Sequence, residues 1–428
     1  MTPSLPAALL ATLAALGPAQ AQNRVDLIRP DAPELAARGP FAVGVRQVTL
    51  TNPDQIDVVN SATEVKRADR ALTVEVWYPA PAGTPPGTDY ATILRDGVTP
   101  VTLRGMATRD AAAAPGPFPL VIVSHGYPGN RFLLSHLTEN LASKGYVVAA
   151  IDHTDSTYDN QLAFGSTLMN RPLDQAFVLD ALADPATLGT DLAGRIDAGN
   201  TAVVGYSMGG YGALIFGGAG VTQAATELPF APPNGMLAAH LAGSGSHKAL
   251  MDDRLKAVIA IGPWGRNAGF WDDAGLAGLR VPALIMAGSV DTVSGYDPLR
   301  EIFAGASGTT RHLLTFQNAG HNAAAPIPAP VESWPMSEKL GWAPFGHYAD
   351  PVWDSVRMNN VAQHFATAFL DLHLKGDATR APYLDLVPNG VDGVWSVKDG
   401  VKAADHNYWP GFEQGSAAGL SFETLPKP

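Results

Sequence analysis

A serine between two glycines is the sharpest chemical feature of the sequence. Gly205-Tyr206-Ser207-Met208-Gly209 follows a short apolar run that predicts a strand and precedes a stretch that predicts a helix. A serine hydroxyl becomes an effective nucleophile only when it is exposed and held against a base. A tight strand-to-helix turn provides both conditions, and the glycines remove side chains that would clash within it. Ser207 is therefore the candidate nucleophile.

An acid and a base for that serine are expected later in the chain, each just past the end of a strand. The predicted strand over 281–287 leads to Asp291. A second predicted strand, over 312–316, leads to His321. In this arrangement His321 would accept the Ser207 proton and Asp291 would orient the imidazole. A surface carboxylate or helix cap is the alternative for Asp291, and a surface turn is the alternative for His321.

Two backbone N–H groups are expected to stabilise the negative charge that nucleophilic attack places on a carbonyl oxygen. One belongs to Met208, at the N-terminus of the helix after the serine. The other belongs to Tyr127, in the segment SHGY at 124–127, which follows a predicted strand. His125 lies upstream of the nucleophile and before a glycine, so we expect a structural role for it. The same role is favoured for His153, at the end of the next strand.

Large aromatic side chains are the candidates for a substrate pocket. Tyr127 and Tyr206 adjoin the residues just described, and Trp264 follows a predicted strand that ends at the same sheet edge. Trp334 and Trp342 lie in an aromatic, proline-rich stretch. We expect these five side chains to line the pocket; the alternative is that they only cover the core.

Short β-branched runs alternate with helical patterns along most of the chain. Runs predicted as strands cover 41–51, 72–78, 120–124, 146–152, 202–206, 256–262, 283–287 and 312–316. Helical spacing appears near 134–144, over 173–182 and 208–216, and most clearly over 354–374. Several strands are apolar throughout, which is typical of strands buried on both faces. The alternation predicts an α/β fold with a mostly parallel, doubly wound sheet and helices on both of its faces.

Three segments interrupt this alternation. Residues 218–253 form a glycine- and proline-rich insertion that could serve as a lid, and 322–350 form an aromatic loop. Long loops within a domain are commonly functional. The tail, 376–428, is irregular and is expected to pack as a peripheral appendage. We expect 22–428 to form a single domain.

Composition excludes several classes of protein. The 428 residues include no cysteine, which rules out a cysteine nucleophile and a thiolate metal site. The net charge of -12 argues against a nucleic acid or an anionic membrane as the main partner. The sequence contains no phosphate-binding loop, dinucleotide fingerprint or metal-spaced cluster, so neither cofactor nor metal is expected.

The first residues have the pattern of an export signal. Residues 1–21 carry no charged side chain, are rich in alanine and leucine, and end in Ala-Gln-Ala, which suits signal peptidase. A short buried helix is the alternative. No later segment is apolar for long enough to predict a transmembrane helix. We therefore expect a secreted or periplasmic protein.

With these residues placed, the chain from about Leu72 to Leu374 resembles bacterial α/β-hydrolases related to dienelactone hydrolases and platelet-activating-factor acetylhydrolases. The matching pieces are VEVWYPA, PLVIVSHGYPGNR, LASKGYVVAAIDHTDST, GYSMGG, the surroundings of Asp291 and His321, and FLDLHLKGD. The resemblance implies the α/β-hydrolase fold and a serine esterase that acts without cofactor on short-chain or small esters. Dienelactone hydrolases use cysteine where this chain has Ser207. Some of these segments also resemble bacterial cutinases and polyester hydrolases, which lack the insertion at 218–253.

The expected function is therefore a serine carboxylic ester hydrolase that takes a small-molecule or polymeric ester. A polyester hydrolase, or a peptidase or amidase that uses the same three residues, remains an alternative, because leaving-group chemistry is not visible in these motifs. A non-catalytic binding protein with this fold would be expected to have lost one of the three residues, and all three are present.

Overall fold

A computed structural model describes residues 22–189 and 192–428. The signal peptide expected at 1–21 lies outside the described residues. Strands β1 to β14 span, in chain order, Ala42–Ile56, Arg67–Ala80, Asp89–Ile93, Pro100–Arg104, Thr108–Arg109, Phe118–Ser124, Val147–Asp152, Ile196–Tyr206, Leu255–Ile261, Ala283–Gly288, Arg311–Phe316, Val397–Lys398, Val401–Lys402 and Leu420–Leu425. Helices α1 to α7 span Ser135–Ser143, Phe164–Ala183, Met208–Phe216, Gly245–Leu250, Asp273–Leu276, Tyr296–Gly305 and Ser355–Leu374.

The described residues build one large central sheet. Its ten strands lie in the order β14-β11-β10-β9-β8-β6-β7-β2-β1-β5. The six strands from β11 to β7 run parallel to one another. Strands β14 and β2 flank them and run antiparallel to their inner neighbours. Strands β3 and β4 pair as a separate hairpin. The mostly parallel sheet predicted from the apolar runs is confirmed.

Helices cover both faces of this sheet. Helices α1 and α7 pack on one face, where Val121 of β6 contributes to the core. Helices α2, α3 and α6 pack on the other face, where the next residue, Ile122, contributes. Successive residues of a strand point to opposite faces, which explains why the buried strands are apolar throughout. The doubly wound arrangement predicted from the sequence is thus confirmed.

Helix α2 begins earlier than the sequence pattern suggests. The sequence pattern predicted a helix over 173–182, whereas α2 begins at Phe164. A proline in a helix interior removes a hydrogen bond. Pro172 lies inside α2, and it supplies no N–H to the carbonyl oxygen of Leu168. The Tyr211 hydroxyl of α3 donates to that oxygen instead, at 3.1 Å. The tertiary contact therefore lets the helix continue through the proline.

The insertion at 218–253 lies against the helices of one face. It contains short 3-10 helices at Ala224–Glu227 and Met236–His240, followed by α4. Two buried histidines hold the insertion against these helices. The His240 ring lies 2.7 Å from the Met169 carbonyl oxygen in α2. The His247 ring lies 3.1 Å from the Ile215 carbonyl oxygen in α3.

The tail at 376–428 differs from the peripheral appendage expected from its irregular sequence. Its last strand, β14, pairs antiparallel with β11 and extends the central sheet. Phe422 of this strand is buried, and its ring stacks on that of Phe365 in α7 at 5.0 Å.

No helix among the described residues is long and apolar enough to cross a membrane.

Candidate active site

Ser207 occupies a sharp turn between β8 and α3. Its backbone has φ 53° and ψ -113°, a conformation that residues other than glycine rarely adopt. The flanking glycines permit the close packing around it. A Cβ on Gly205 would lie 2.2 Å from the carbonyl of Gly209, and one on Gly209 would lie 2.0 Å from the carbonyl oxygen of Ser124. The turn therefore requires glycine at both positions.

The three residues predicted to act together form one hydrogen-bonded chain. The Nε2 atom of His321 is 3.0 Å from Ser207 Oγ, and its Nδ1 atom is 2.8 Å from Asp291 Oδ2. They follow β8, β10 and β11, so the carboxyl ends of three parallel strands deliver them to one edge of the sheet. The arrangement can pass the serine proton to a histidine whose second nitrogen is held by a carboxylate.

Asp291 is held in a form suited to that role. Its Oδ1 atom accepts hydrogen bonds from the backbone N–H groups of Val293 and Ser294, at 2.7 and 2.9 Å. Burial opposes ionisation of the carboxyl, but the hydrogen bond and charge of His321, with these two N–H groups, outweigh it. The pKa of Asp291 therefore lies below its ordinary value. The ionised carboxylate accepts a hydrogen bond from the Nδ1–H group, which leaves the unprotonated Nε2 facing the serine.

The loop at 322–350 fastens His321 from both sides. The N–H of Gly320 donates to Asp350 Oδ2 at 2.7 Å. The Asn322 amide donates to two carbonyl oxygens of the loop, at 2.7 and 3.0 Å, and its Oδ1 accepts from the Tyr206 hydroxyl at 3.1 Å. The Tyr206 ring lies 5.2 Å from the His321 ring. These hydrogen bonds to the loop thus determine where the His321 imidazole lies.

The two residues expected to donate to an oxyanion flank the serine. Met208 is the first residue of α3, so its N–H has no acceptor within the helix. Tyr127 follows β6 and lines the same cavity as Ser207. A Cβ on Gly126 would lie 3.4 Å from Ser207 Cβ, so the backbone of this loop comes close to the nucleophile.

A buried arginine lies under the Tyr127 loop. The guanidinium of Arg171, in α2, is fully buried. It donates to the carbonyl oxygen of His125 and, at 3.0 Å, to that of Gly126. Burial lowers the pKa of Arg171 to about 9, so the group is still a cation near neutral pH. The sequence analysis did not single out Arg171, because the predicted helix began at residue 173, after Arg171 and Pro172.

Beside this arginine lies a second chain of serine, histidine and aspartate. The His153 ring is 2.8 Å from Ser124 Oγ and 2.8 Å from Asp174 Oδ2. All three residues are at most 1 % exposed, so no substrate reaches them. Burial, with the charge of Arg171, lowers the pKa of His153 to about 3, so its ring is neutral. These two hydrogen bonds of His153 join the end of β6 to α2. They fit the structural role that the sequence analysis favours for this histidine.

A cavity of about 680 Å³ opens beside Ser207 and His321. Of the five aromatic residues expected there, Tyr127, Tyr206 and Trp342 line it. The structure places the other two elsewhere. Trp264 packs against Phe164 and Phe270 in an aromatic cluster. Its N–H donates to the Ser207 carbonyl, but its ring lies toward Phe230 of the insertion. Trp334 is 64 % exposed and contacts Phe345.

Two charged residues of the cavity wall were not predicted. Arg95 lies in the turn between β3 and β4, and Asp350 is the last residue of the aromatic loop. Neither belongs to a motif, and the hairpin that carries Arg95 was itself not predicted.

Among the described residues, no group of three or more metal-binding side chains lies together.

Comparison with known proteins gives matches to esterases. A family model described as PET hydrolase-like matches residues 110–237, and one for platelet-activating factor acetylhydrolase, isoform II, matches 35–166. Cutinase est1 of Thermobifida alba is 30% identical over 205 residues, covering 47% of this chain and 53% of the relative. The bis(hydroxyethyl) terephthalate hydrolase of Streptomyces coelicolor is 27% identical over 208 residues, covering 48% and 51%. The chain thus spans about half the length of these relatives.

Among solved structures, a ferulic acid esterase from Streptomyces cinnamoneus superposes with a TM-score of 0.57 at 23% identity. The match covers 81% of this chain and 94% of the esterase. At that identity the likeness shows the shared fold.

Proposed function

We propose that this protein, which has the α/β-hydrolase fold and resembles cutinases, hydrolyses carboxylic esters with Ser207 as the nucleophile. His321 is the general base and Asp291 is its partner. The observation that carries the proposal is the hydrogen-bonded chain from Ser207 Oγ through His321 to Asp291 at the wall of a cavity. The matches to esterases of several kinds support the same reaction.

The geometry supports a two-step reaction. Ser207 Oγ attacks the ester carbonyl while His321 Nε2 takes its proton. The N–H groups of Tyr127 and Met208 stabilise the oxyanion, and His321 then returns the proton to the leaving alcohol. Water, activated by His321, hydrolyses the acyl-enzyme and regenerates Ser207. Asp291 stabilises the imidazolium in both steps.

Small or short-chain esters are the proposed substrates, and polyester chains are the second candidate. The PET hydrolase-like family model favours the polymer, whereas the bis(hydroxyethyl) terephthalate hydrolase is named for a small diester. Exposed apolar side chains beside the cavity, Val290, Val293 and Trp342, also suit a polymer. Residues 218–253 contribute none of the side chains that line the cavity. Amides remain a further possibility for the same three residues and belong in the assay.

Export from the cytoplasm is part of the proposal. It rests on the composition of residues 1–21. Expression of the full chain and of a chain lacking these residues, followed by fractionation, tests it. Retention of both forms in the cytoplasm would contradict it.

The decisive experiment is a chain-length series of p-nitrophenyl esters with the mature protein and Ser207→Ala. The wild type is expected to hydrolyse the short esters, and the variant is expected to lose that activity while keeping its melting temperature. Ser246→Ala is the matched control, because Ser246 is exposed and does not line the cavity. Full activity of Ser207→Ala would refute the assigned nucleophile. An inactive wild type would redirect the test to polyester films, phospholipids and amides.

A further inference from the structure

Arg95 presents a positive charge to the cavity that holds Ser207. It is one of the side chains lining that cavity. No carboxylate of the described residues forms an ion pair with it, and its guanidinium donates no hydrogen bond to them. The guanidinium lies beside an aromatic ring: its central carbon is 5.9 Å from the centre of the Trp342 ring. Arginines on neighbouring strands, such as Arg104 and Arg109, form ion pairs with carboxylates, so Arg95 differs from them.

The backbone of Arg95 is fixed although its side chain is free. Its N–H donates to the Tyr348 hydroxyl at 3.1 Å. The next residue, Asp96, accepts from the N–H of Thr99 at 2.9 Å and from the Ser337 hydroxyl at 3.1 Å. Hydrogen bonds from the hairpin turn and from the loop at 322–350 therefore hold this position. A side chain that were only solvent-exposed would not need such support.

The carboxylate in the same cavity wall, Asp350, forms no ion pair with Arg95 and is held by other contacts. Asp350 already accepts from three backbone N–H groups, those of Gly320, Val352 and Trp353. Partial burial lowers the pKa of Arg95 from its ordinary value, with small opposing effects from nearby tyrosines. Arginine stays protonated even so. A cation that has lost part of its hydration binds an incoming anion more strongly than an exposed one.

We propose that Arg95 binds an anionic oxygen group of the ester substrate, so that the cavity selects esters that also carry a carboxylate or a phosphate. The guanidinium offers paired N–H donors that match either group. The Trp342 ring beside it provides an apolar surface for the part of the substrate that joins the anion to the ester. This inference rests on the proposed function, because it names the substrate class of the same site.

The test compares pairs of esters in which one member carries an anionic group and the other does not. The monomethyl and dimethyl esters of adipate and suberate are assayed by pH-stat, and kcat/KM is measured for each. The acetate ester of glycerol phosphate and that of glycerol form a second pair, which separates a phosphate from a carboxylate. The proteins are the wild type, Arg95→Gln, Arg95→Lys, and Arg67→Gln as a control, since Arg67 is exposed and pairs with Asp54.

The expected result is a preference of the wild type for the charged member of one pair. Arg95→Gln should lower the charged-to-neutral ratio of kcat/KM by about 10- to 100-fold, the range for a hydrogen bond to a charged group. Arg95→Lys should restore part of the ratio, and Arg67→Gln should leave it unchanged. A ratio that Arg95→Gln does not change overturns the inference while the ester reaction stands. A wild type that hydrolyses neither charged nor neutral esters overturns the proposed function, and this inference falls with it.

Discussion

Ser207 has a backbone conformation that its surroundings enforce. Its N–H donates to the Ile261 carbonyl at 2.8 Å, and its own carbonyl accepts from Tyr211 and Trp264 at 3.0 and 3.3 Å. These bonds, to α3 and to the end of β9 with the loop that follows it, offset the cost of the positive φ. The hydroxyl is consequently aimed at His321 before any substrate arrives, so little reorganisation is needed for attack.

Replacing Asp291 tests whether its charge is required. Asp291→Asn keeps the size of the side chain, but the neutral amide neither holds the productive tautomer of His321 nor stabilises the imidazolium. We expect kcat/KM for a short nitrophenyl ester to fall by about 1,000-fold or more. The melting temperature serves as the control for folding. A folded variant that keeps activity within a few-fold of the wild type would contradict the assigned role.

Arg171 is expected to act on the reaction through the Tyr127 peptide. The carbonyl of Gly126 and the N–H of Tyr127 belong to one peptide unit and point in opposite directions. By binding that carbonyl at 3.0 Å, Arg171 turns the N–H away from itself. Arg171→Met should therefore lower kcat by about 10- to 100-fold, less than loss of a whole oxyanion donor, and change KM little.

Two comparisons separate this effect from simple loss of folding. Arg171→Lys keeps the charge and should recover part of kcat. Circular dichroism and the melting temperature identify the variants that are folded. Equal kcat values in folded Arg171→Met and wild type would show that the arginine has only a structural role.

At the scale of elements, the site depends on close contact between the β8–α3 turn and the loop after β6. These segments approach one another so closely that the glycines have no room for a side chain. The aromatic loop at 322–350 then fixes the histidine from the opposite side. Each element is ordinary by itself, and the reactive geometry arises where three of them meet.

Gly209 is the sharpest test of this contact. An added Cβ would lie 2.0 Å from the Ser124 carbonyl oxygen, so Gly209→Ala must displace either the turn or the β6 loop. We expect loss of most esterase activity and a destabilisation of about 1–3 kcal/mol, measured by urea unfolding. Gly245→Ala is the matched control, because nothing lies within 4 Å of a Cβ at that position. Similar behaviour of the two variants would disprove the packing argument.

At the scale of the whole molecule, the protein buries an unusual set of neutral histidines. Burial lowers the pKa of six of them to between about 3 and 4, namely His136, His153, His240, His312, His347 and His364. In the unfolded chain each would titrate near 6.5. Between these values the unfolded state therefore binds more protons than the folded state.

Stability is accordingly expected to fall as the pH drops from about 6.5 toward 4, because proton binding favours the unfolded chain in that window. Buried Glu139, with its pKa raised to about 7, and Asp152, with its pKa also raised by burial, act in the opposite direction, but they are two groups against six. Melting temperatures at a series of pH values check the prediction. His240→Gln should reduce the slope, and a melting temperature that stays constant down to pH 4 would contradict it.

The sequence by itself was enough to predict the elements and residues that local rules determine. The turn around Ser207 needs particular glycines, and the order of the strands places Asp291 and His321 after it, so pattern and spacing identified the three residues that the structure joins by hydrogen bonds. The buried strands were visible because burial on both faces demands an unbroken apolar run.

Only the tertiary structure decided which other residues meet these three. Arg95 reaches the cavity through a contact with Tyr348, 253 residues away in the chain. Helix α2 continues through Pro172 because a hydroxyl from α3 satisfies the freed carbonyl. The strand β14 exists because β11 offers it an edge. Each feature depends on the energy of contacts between distant segments, and that energy has no signature in local composition or spacing.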